Sequence, residues 1–220
     1  ADEALNLEES TARLVTQLLM LDQEDRVATL LTTAANVGSG NALTGSNQWS
    51  DFANSNPISD VTTGKAWIAL ETGQTVNTMV VGSQVHDAIL QHPDMVDRIK
   101  YVQVATQATV ENALAAIFGI PPGRYFVGKA VKNTGQENQA VSMSYIWGKN
   151  VVLSYVAPTP GRNIPSACYA FRWRPEGFTD FVVETKDNTD IRARMKRAGY
   201  FQDEKIVSTP CIYLLTGVVA

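Results

Sequence analysis

Apolar residues recur at three- and four-residue steps over residues 6–35, where Leu7, Leu14, Leu18, Leu21, Val27, Leu30 and Leu31 are separated by Glu, Gln and Arg. That spacing predicts one long amphipathic helix. Asn6 followed by Glu9 resembles a capping box with Asn as the cap, and Gly38-Ser39-Gly40 ends the segment. About 30 residues at a rise of 1.5 Å make a rod of about 45 Å. A rod of that length needs a sheet or a neighbouring subunit along much of it. Residues 41–56 are rich in Gly, Ser and Asn with Trp49 and Phe52 embedded, which predicts an ordered loop pinned by its aromatics.

Asn56-Pro57 predicts a second helix, with Asn as N-cap and Pro at the first helical position; Trp67, Ile68 and Leu70 lie toward its end and Gly73 stops it. Residues 75–81 (TVNTMVV) read as a strand, and Gly82-Ser83 turns into a helix bearing Val85, Ile89 and Leu90. Pro93 restarts the helix with Met95, Val96 and Ile99, and a further helix covers 109–118 with Gly119 just past its end. From Arg124 the pattern changes to strands: 125–131, 142–147 and 151–156, the last two joined by a tight Gly148-Lys149-Asn150 turn. Pro158, Pro160 and Pro165 mark a crossing segment, followed by strands at 168–173, 178–184, 191–196 and 211–219. The order of elements is that of an α+β protein without internal repeats.

Composition narrows the function classes. The chain has 220 residues, 45% hydrophobic and 18% charged, with a net charge of −4 and a pI near 5.2. An acidic surface argues against a dedicated nucleic-acid binder, which needs cations to displace counterions, but it permits a container for nucleic acid. Cys168 and Cys211 lie in apolar runs and read as reduced, buried thiols; a disulfide between them stays open. No stretch approaches the roughly 20 apolar residues of a membrane-spanning helix. The start at Ala1-Asp2-Glu3, without Met, reads as a processed or incomplete N-terminus.

The residue types of catalysis do not cluster in sequence. His86 and His92 are six apart across a proline, with no third ligand type beside them, and read as helix-surface histidines. Gly38, Gly40 and Gly45 lack the strand before them and the Gly-Lys-Ser/Thr ending of a phosphate loop. There is no Gly-x-Ser-x-Gly elbow, and neither cysteine has a histidine near it in sequence, although distant residues could still assemble a site. Asp94, Asp97, Asp203 and Glu204 read as solvated charges. No catalytic, cofactor-binding or metal residue is therefore assigned.

One charge pattern stands apart. In residues 191–196 apolar and cationic residues alternate, so a strand there would set Arg192, Arg194 and Lys196 on one face, with Arg197 extending the run. The face is either a solvated outer surface, or an intersubunit contact with acidic residues such as Asp22, Glu24 and Asp25, or a nucleic-acid contact. Arginine forks suit carboxylates across an interface.

The run Leu43-Thr-Gly-Ser-Asn-Gln-Trp-Ser-Asp-Phe-Ala-Asn-Ser-Asn-Pro-Ile-Ser-Asp60 resembles the segment of tailed-phage major capsid proteins that leads into their second helix. Val76 to Leu90, with His92-Pro-Asp and Asp97-Arg-Ile-Lys100, is similar to the strand-then-helix unit of that family. Ser142 to Lys149, and Tyr200 with Asp203-Glu-Lys-Ile-Val207, extend the likeness over nearly the whole chain. The resemblance implies an HK97-like capsid fold with a long spine helix, a peripheral (P) domain and an axial (A) domain. Residues 1–56 would be the peripheral domain with the spine helix, 57–160 the axial domain, and 161–220 the return to the peripheral sheet. The family pattern also has an N-terminal arm and an extended loop before the spine helix, neither of which is in this sequence; the resemblance implies that they were cut off or lie outside this chain. It further implies a head protein, not an enzyme and without cofactor. Pentamers and hexamers of it would close an icosahedral shell around double-stranded DNA, assembled in the host cytoplasm and carried in the virion. The expected partners are further copies, a scaffold or portal, and a cement protein. An encapsulin-like nanocompartment shell, a phage decoration or tail component, and a mixed α/β enzyme are the alternatives.

Overall fold

The computed structural model describes residues 7–100, 107–174, 182–190 and 192–220. The chain divides into two compact units, one built from the chain up to Val27 with Ala170–Lys205, the other from Ala28–Tyr169 with Ile206–Ala220. The predicted long helix is α1 (Leu7–Thr32), 26 residues in one run, followed by a 3-10 turn at Ala34–Asn36. The expected cap at Asn6 lies outside the described residues.

The larger unit is organised by a five-stranded sheet in the order β1–β11–β6–β2–β3. Its strands are β1 (Ser39–Ala42), β2 (Thr78–Gly82), β3 (Tyr125–Gly128), β6 (Val151–Ser154) and β11 (Ile212–Thr216). β1 runs parallel to β11 and β2 parallel to β3, while β6 is antiparallel to both β11 and β2. The register lines up Tyr213, Leu153, Met79 and Tyr125 on one face, and these belong to the helix-side core with Val61, Ile68, Val85, Ile89 and Leu114. Val152, Ile212 and Leu214 point to the other face and are buried as well. Burial on both faces explains why β6 (VVLS) and β11 (IYLLT) are continuous apolar runs and not alternating ones.

Local chemistry sets the helices of this unit. α2 (Pro57–Thr72) starts where the Asn56 side chain accepts the Ser59 N–H at 3.0 Å and ends at Gly73, left-handed at φ +67°. Gly64 on this helix has Tyr213 and Leu153 directly above it, so that the helix lies close on the sheet; a Cβ there would come within 2.6 Å of the tyrosine ring. α3 (Ser83–Gln91) leaves β2 directly, His92 and Pro93 open α4 (Pro93–Ile99), and α5 (Gln107–Phe118) ends at Gly119, φ +65°. Trp49 pins the 41–56 loop as expected, being fully buried, but Phe52 is largely exposed, with its ring edge-on to His92.

Two expectations of strand pairing need correction. The strands predicted at 142–147 and 151–156 do not form a hairpin across Gly148-Lys149-Asn150. β5 (Met143–Tyr145) pairs with β4 (Val131–Asn133), whereas β6 enters the large sheet, so the turn carries the chain from one sheet to another. The single strand predicted at 125–131 is accordingly two strands, β3 and β4. Of the later strands, β7 (Cys168–Arg172) pairs with β10 (Gln202–Ile206), and β8 (Val182–Asn188) pairs with β9 (Ala193–Gly199). β10 was not expected, because QDEKI has one apolar residue in five.

Candidate assembly surface

The buried polar side chains Ser55, Thr78, His86, His92 and Ser166 of the larger unit are each hydrogen-bonded to a neighbour. Both histidines lie inside, not on helix surfaces as expected: each packs at the junction of its helix with another element, which burial in sequence terms does not announce. His92 Nδ1 accepts the Asp94 N–H at 3.3 Å, which leaves the proton on Nε2 facing Ser55 Oγ at 3.2 Å. Ser55 Oγ in turn donates to the Asp51 carbonyl at 2.7 Å. The serine proton thus points away from the imidazole, and the histidine is not placed to act as its base. No group of three or more His, Cys, Asp or Glu that could hold a metal occurs among the described residues. Cys168 and Cys211 are free thiols; Cys211 is buried and Cys168 half-buried, with burial pushing the Cys168 thiol up and disfavouring its thiolate. A groove between α2 and α4, lined by Ile58, Thr62, Thr63 and Asp97 among others, is open and holds no buried titratable group.

His86 sits 3.0 Å from the Tyr125 hydroxyl. Burial pulls its pKa below the ordinary histidine value, opposed by Asp87 and Glu111 and reinforced by Lys129. Since the unfolded chain titrates near 6.5, it binds the proton more readily than the folded chain as pH falls through that value. Stability contributed by neutral His86 is therefore complete above about pH 6.5 and is lost as acid takes the pH below it, until the folded value is passed. Urea unfolding at pH 7.5 and pH 5 should show a smaller stability loss for His86→Gln than for the unchanged chain; equal losses would mean that other groups set the acid sensitivity.

The smaller unit has a different character. Between residues 9 and 27, α1 has no fully buried residue. Leu14 and Leu18, one turn apart, are 55% and 56% exposed, and Leu21 and Asp25 continue their line at i+7 and i+11. Arg26 is the hub on another side of the helix. It pairs with Asp22 one turn back, donates to Tyr200 Oη at 2.8 Å, and reaches Glu204 through Nε and Nη2, each at 3.3 Å. The hydrogen bond to Glu204, then that to Tyr200, hold the guanidinium firmly charged. Partial burial alone would raise the Glu204 carboxyl, but hydrogen bonds from Arg26 and Gln202 outweigh it and keep the carboxyl below its usual range. Glu204, expected as a solvated charge, is only 12% exposed at its side chain; Asp203 is 67% exposed, as expected. The signal was the alternation Gln202-Asp203-Glu204, which puts Glu204 with Gln202 on one strand face.

The predicted basic strand lies in the β8–β9 ribbon. Cross-strand pairs Val183–Ala198, Thr185–Lys196 and Asp187–Arg194 define one face. Arg194 Nε donates to Asp187 at 2.9 Å and Lys196 Nζ to Thr185 at 2.6 Å. Arg192 is not on that face, which is a correction: it precedes the strand in a turn, with φ +50°, where alternation no longer applies. Ile191, where the strand was expected to begin, lies outside the described residues. Asp22, Glu24 and Asp25 are carried by α1, apart in sequence from the cations they were expected to meet on a neighbour.

No family model matches this chain. It is 26% identical over 222 aligned positions to the major capsid protein of Burkholderia phage BcepMu, covering 99% of this chain and 68% of that protein. The crystal structure of a phage-related protein from Bordetella bronchiseptica superimposes with a TM-score of 0.81 at 23% identity, over 98% of this chain and 69% of the other. A structure from Mycobacterium phage Che8 gives a TM-score of 0.52 at 15% identity, over 94% of this chain and 62% of the other.

Proposed function

We propose that this chain, a homologue of a phage major capsid protein with the HK97-like α+β capsid fold, is the subunit of a closed icosahedral shell around double-stranded DNA. The carrying observation is that likeness in sequence and in fold each extends over almost the whole chain. Homology points to a structural role and to the virion.

In finer detail, residues 57–160 would act as the axial domain around pentamer and hexamer centres, with α1 as the spine of a peripheral domain formed by 1–56 and 161–220. Such contacts are heterologous: one patch meets a different patch on the next copy, and the rotation closes a ring. Each contact need only be weak, because valency multiplies them over the shell. The cations Arg194 and Lys196 would face Asp22, Glu24 and Asp25 of a neighbour. A net charge of −4 gives the wall no strong electrostatic hold on packaged DNA, which would be enclosed without sequence-specific contact. A scaffold or portal and a cement protein would complete the particle.

Electron microscopy of the protein isolated from its source tests this reading. Regular closed shells filled with nucleic acid are expected. Closed shells filled with protein cargo would instead support a nanocompartment, and small discrete particles alone would overturn the shell role.

A further inference from the structure

We propose that the β8–β9 ribbon of one copy docks on the outward ridge of α1 of a second copy. Val183 and Ala198 would seat against Leu14 and Leu18, with Arg194 and Lys196 directed to the acidic end of the ridge at Asp22 and Asp25. The inference rests on the shell-subunit reading and names a contact for it.

Both surfaces are incomplete on their own. The ridge presents two leucines, each more than half exposed, on a stretch of helix without a fully buried residue. Helices in water draw most of their stability from packing an apolar face, and exposed apolar patches mark interaction sites. The ribbon is a two-stranded sheet of seven rungs in which none of the fourteen paired residues is fully buried. A two-stranded hairpin of that kind is marginal in water until something packs on it.

The two surfaces also fit each other. α1 carries five acidic and two basic residues, whereas residues 182–199 carry five basic and three acidic. Opposite fields of this kind steer two copies into one register and disfavour like-with-like contact. From Leu14 to Asp25 the ridge is about 17 Å long, and seven strand residues span about 20 Å. The apolar pair Val183 and Ala198 lies two rungs from Lys196 and four from Arg194 on the same face, so leucines and carboxylates on the helix can be met together by one ribbon face. A nucleic acid would suit the cations but not the leucines, and it would be repelled by the helix. Because each copy carries both surfaces, the contact runs head to tail and can propagate into a closed ring.

Two variants of different mass, Leu18→Cys and Val183→Cys, are mixed during assembly and then oxidised, with the unchanged chain as control for Cys168 and Cys211. The expected result is a disulfide-linked pair holding one copy of each variant. Leu14→Cys should give the same link with Val183→Cys, which guards against poor folding of one variant. Met195→Cys, on the opposite ribbon face, should give none. Adding Lys196→Asp should abolish the link and Asp25→Lys should restore it. Closed particles lacking the Leu18–Val183 link would overturn the docking and leave the shell reading intact. The link in material that forms no closed particles would uphold the docking and overturn the shell; neither particles nor link would overturn both. A link from Met195→Cys equal to that from Val183→Cys would overturn the assigned face.

Discussion

Replacing Trp49 by alanine should destabilise the larger unit by about 3–5 kcal/mol, the range for removing a large buried aromatic. The indole has no exposure at all and sits in the helix-side core with Leu43, Val61 and Val218. Its Nε1 donates to Asp60 Oδ2 at 2.8 Å, so truncation also takes a partner from a carboxylate in the first turn of α2. The Trp49 backbone N–H bonds the Val218 carbonyl at 2.7 Å, which ties the 41–56 loop to the segment after β11. Against a total stability of 5–15 kcal/mol for a typical domain, such a loss removes a large fraction. Trp49→Phe keeps most of the volume and loses the donor, so it should cost about 1–3 kcal/mol. The denaturant midpoint from circular dichroism measures both; a loss under about 1 kcal/mol for the alanine variant would mean that the loop is not pinned there.

Gly82→Ala should be of similar severity for another reason. A Cβ on Gly82 would fall on the carbonyl oxygen of Gly148, a backbone atom that cannot swing aside as a side-chain tip does. The Gly82 N–H also bonds the Asn150 carbonyl at 3.0 Å, so the two segments are held together where the methyl would force them apart. Overpacking of this kind costs about 1–3 kcal/mol, and more where the backbone must move. Gly73→Ala is the control: no atom lies within 4 Å of its Cβ position, and it bears only the strain of its φ of +67°. Thermal melts of the two variants should rank Gly82→Ala well below Gly73→Ala. The reverse order would sink the claim of close approach.

What could be read from the chain was what local chemistry decides. Asn56, Pro57 and Gly73 define both ends of α2 by capping and by left-handed backbone, and these signals act within a few residues. Gly119 likewise ends α5. Strand pairing is not local: residues 142–156 look like a hairpin because a tight turn joins two apolar runs, yet the partners of β6 are β2 and β11, some 60–75 residues away in sequence. The histidines show the same limit. Nothing near His92 in sequence reveals that Ser55 will meet it.

The candidate assembly surface was legible in part. The alternation of cations before residue 197 located Arg194 and Lys196 on one strand face. It failed at Arg192 because a turn residue has no strand periodicity. The leucine ridge of α1 was legible as a stripe, but its exposure depends on what the fold leaves uncovered. The Arg26–Glu204 pair joins residues 178 apart, a distance at which spacing carries no signal.

The position of β11 within the large sheet bears on the timing of synthesis. It lies between β1 and β6, and among the described residues β1 has no other neighbour in that sheet. A nascent chain on the ribosome therefore cannot close the sheet until residues 212–216 have emerged, even though β1 left the tunnel some 170 residues earlier. Pairing across so long a separation is slow and leaves strand edges exposed meanwhile. A truncated product would keep β1 unpaired, so the same arrangement makes incomplete chains easy for proteases to recognise.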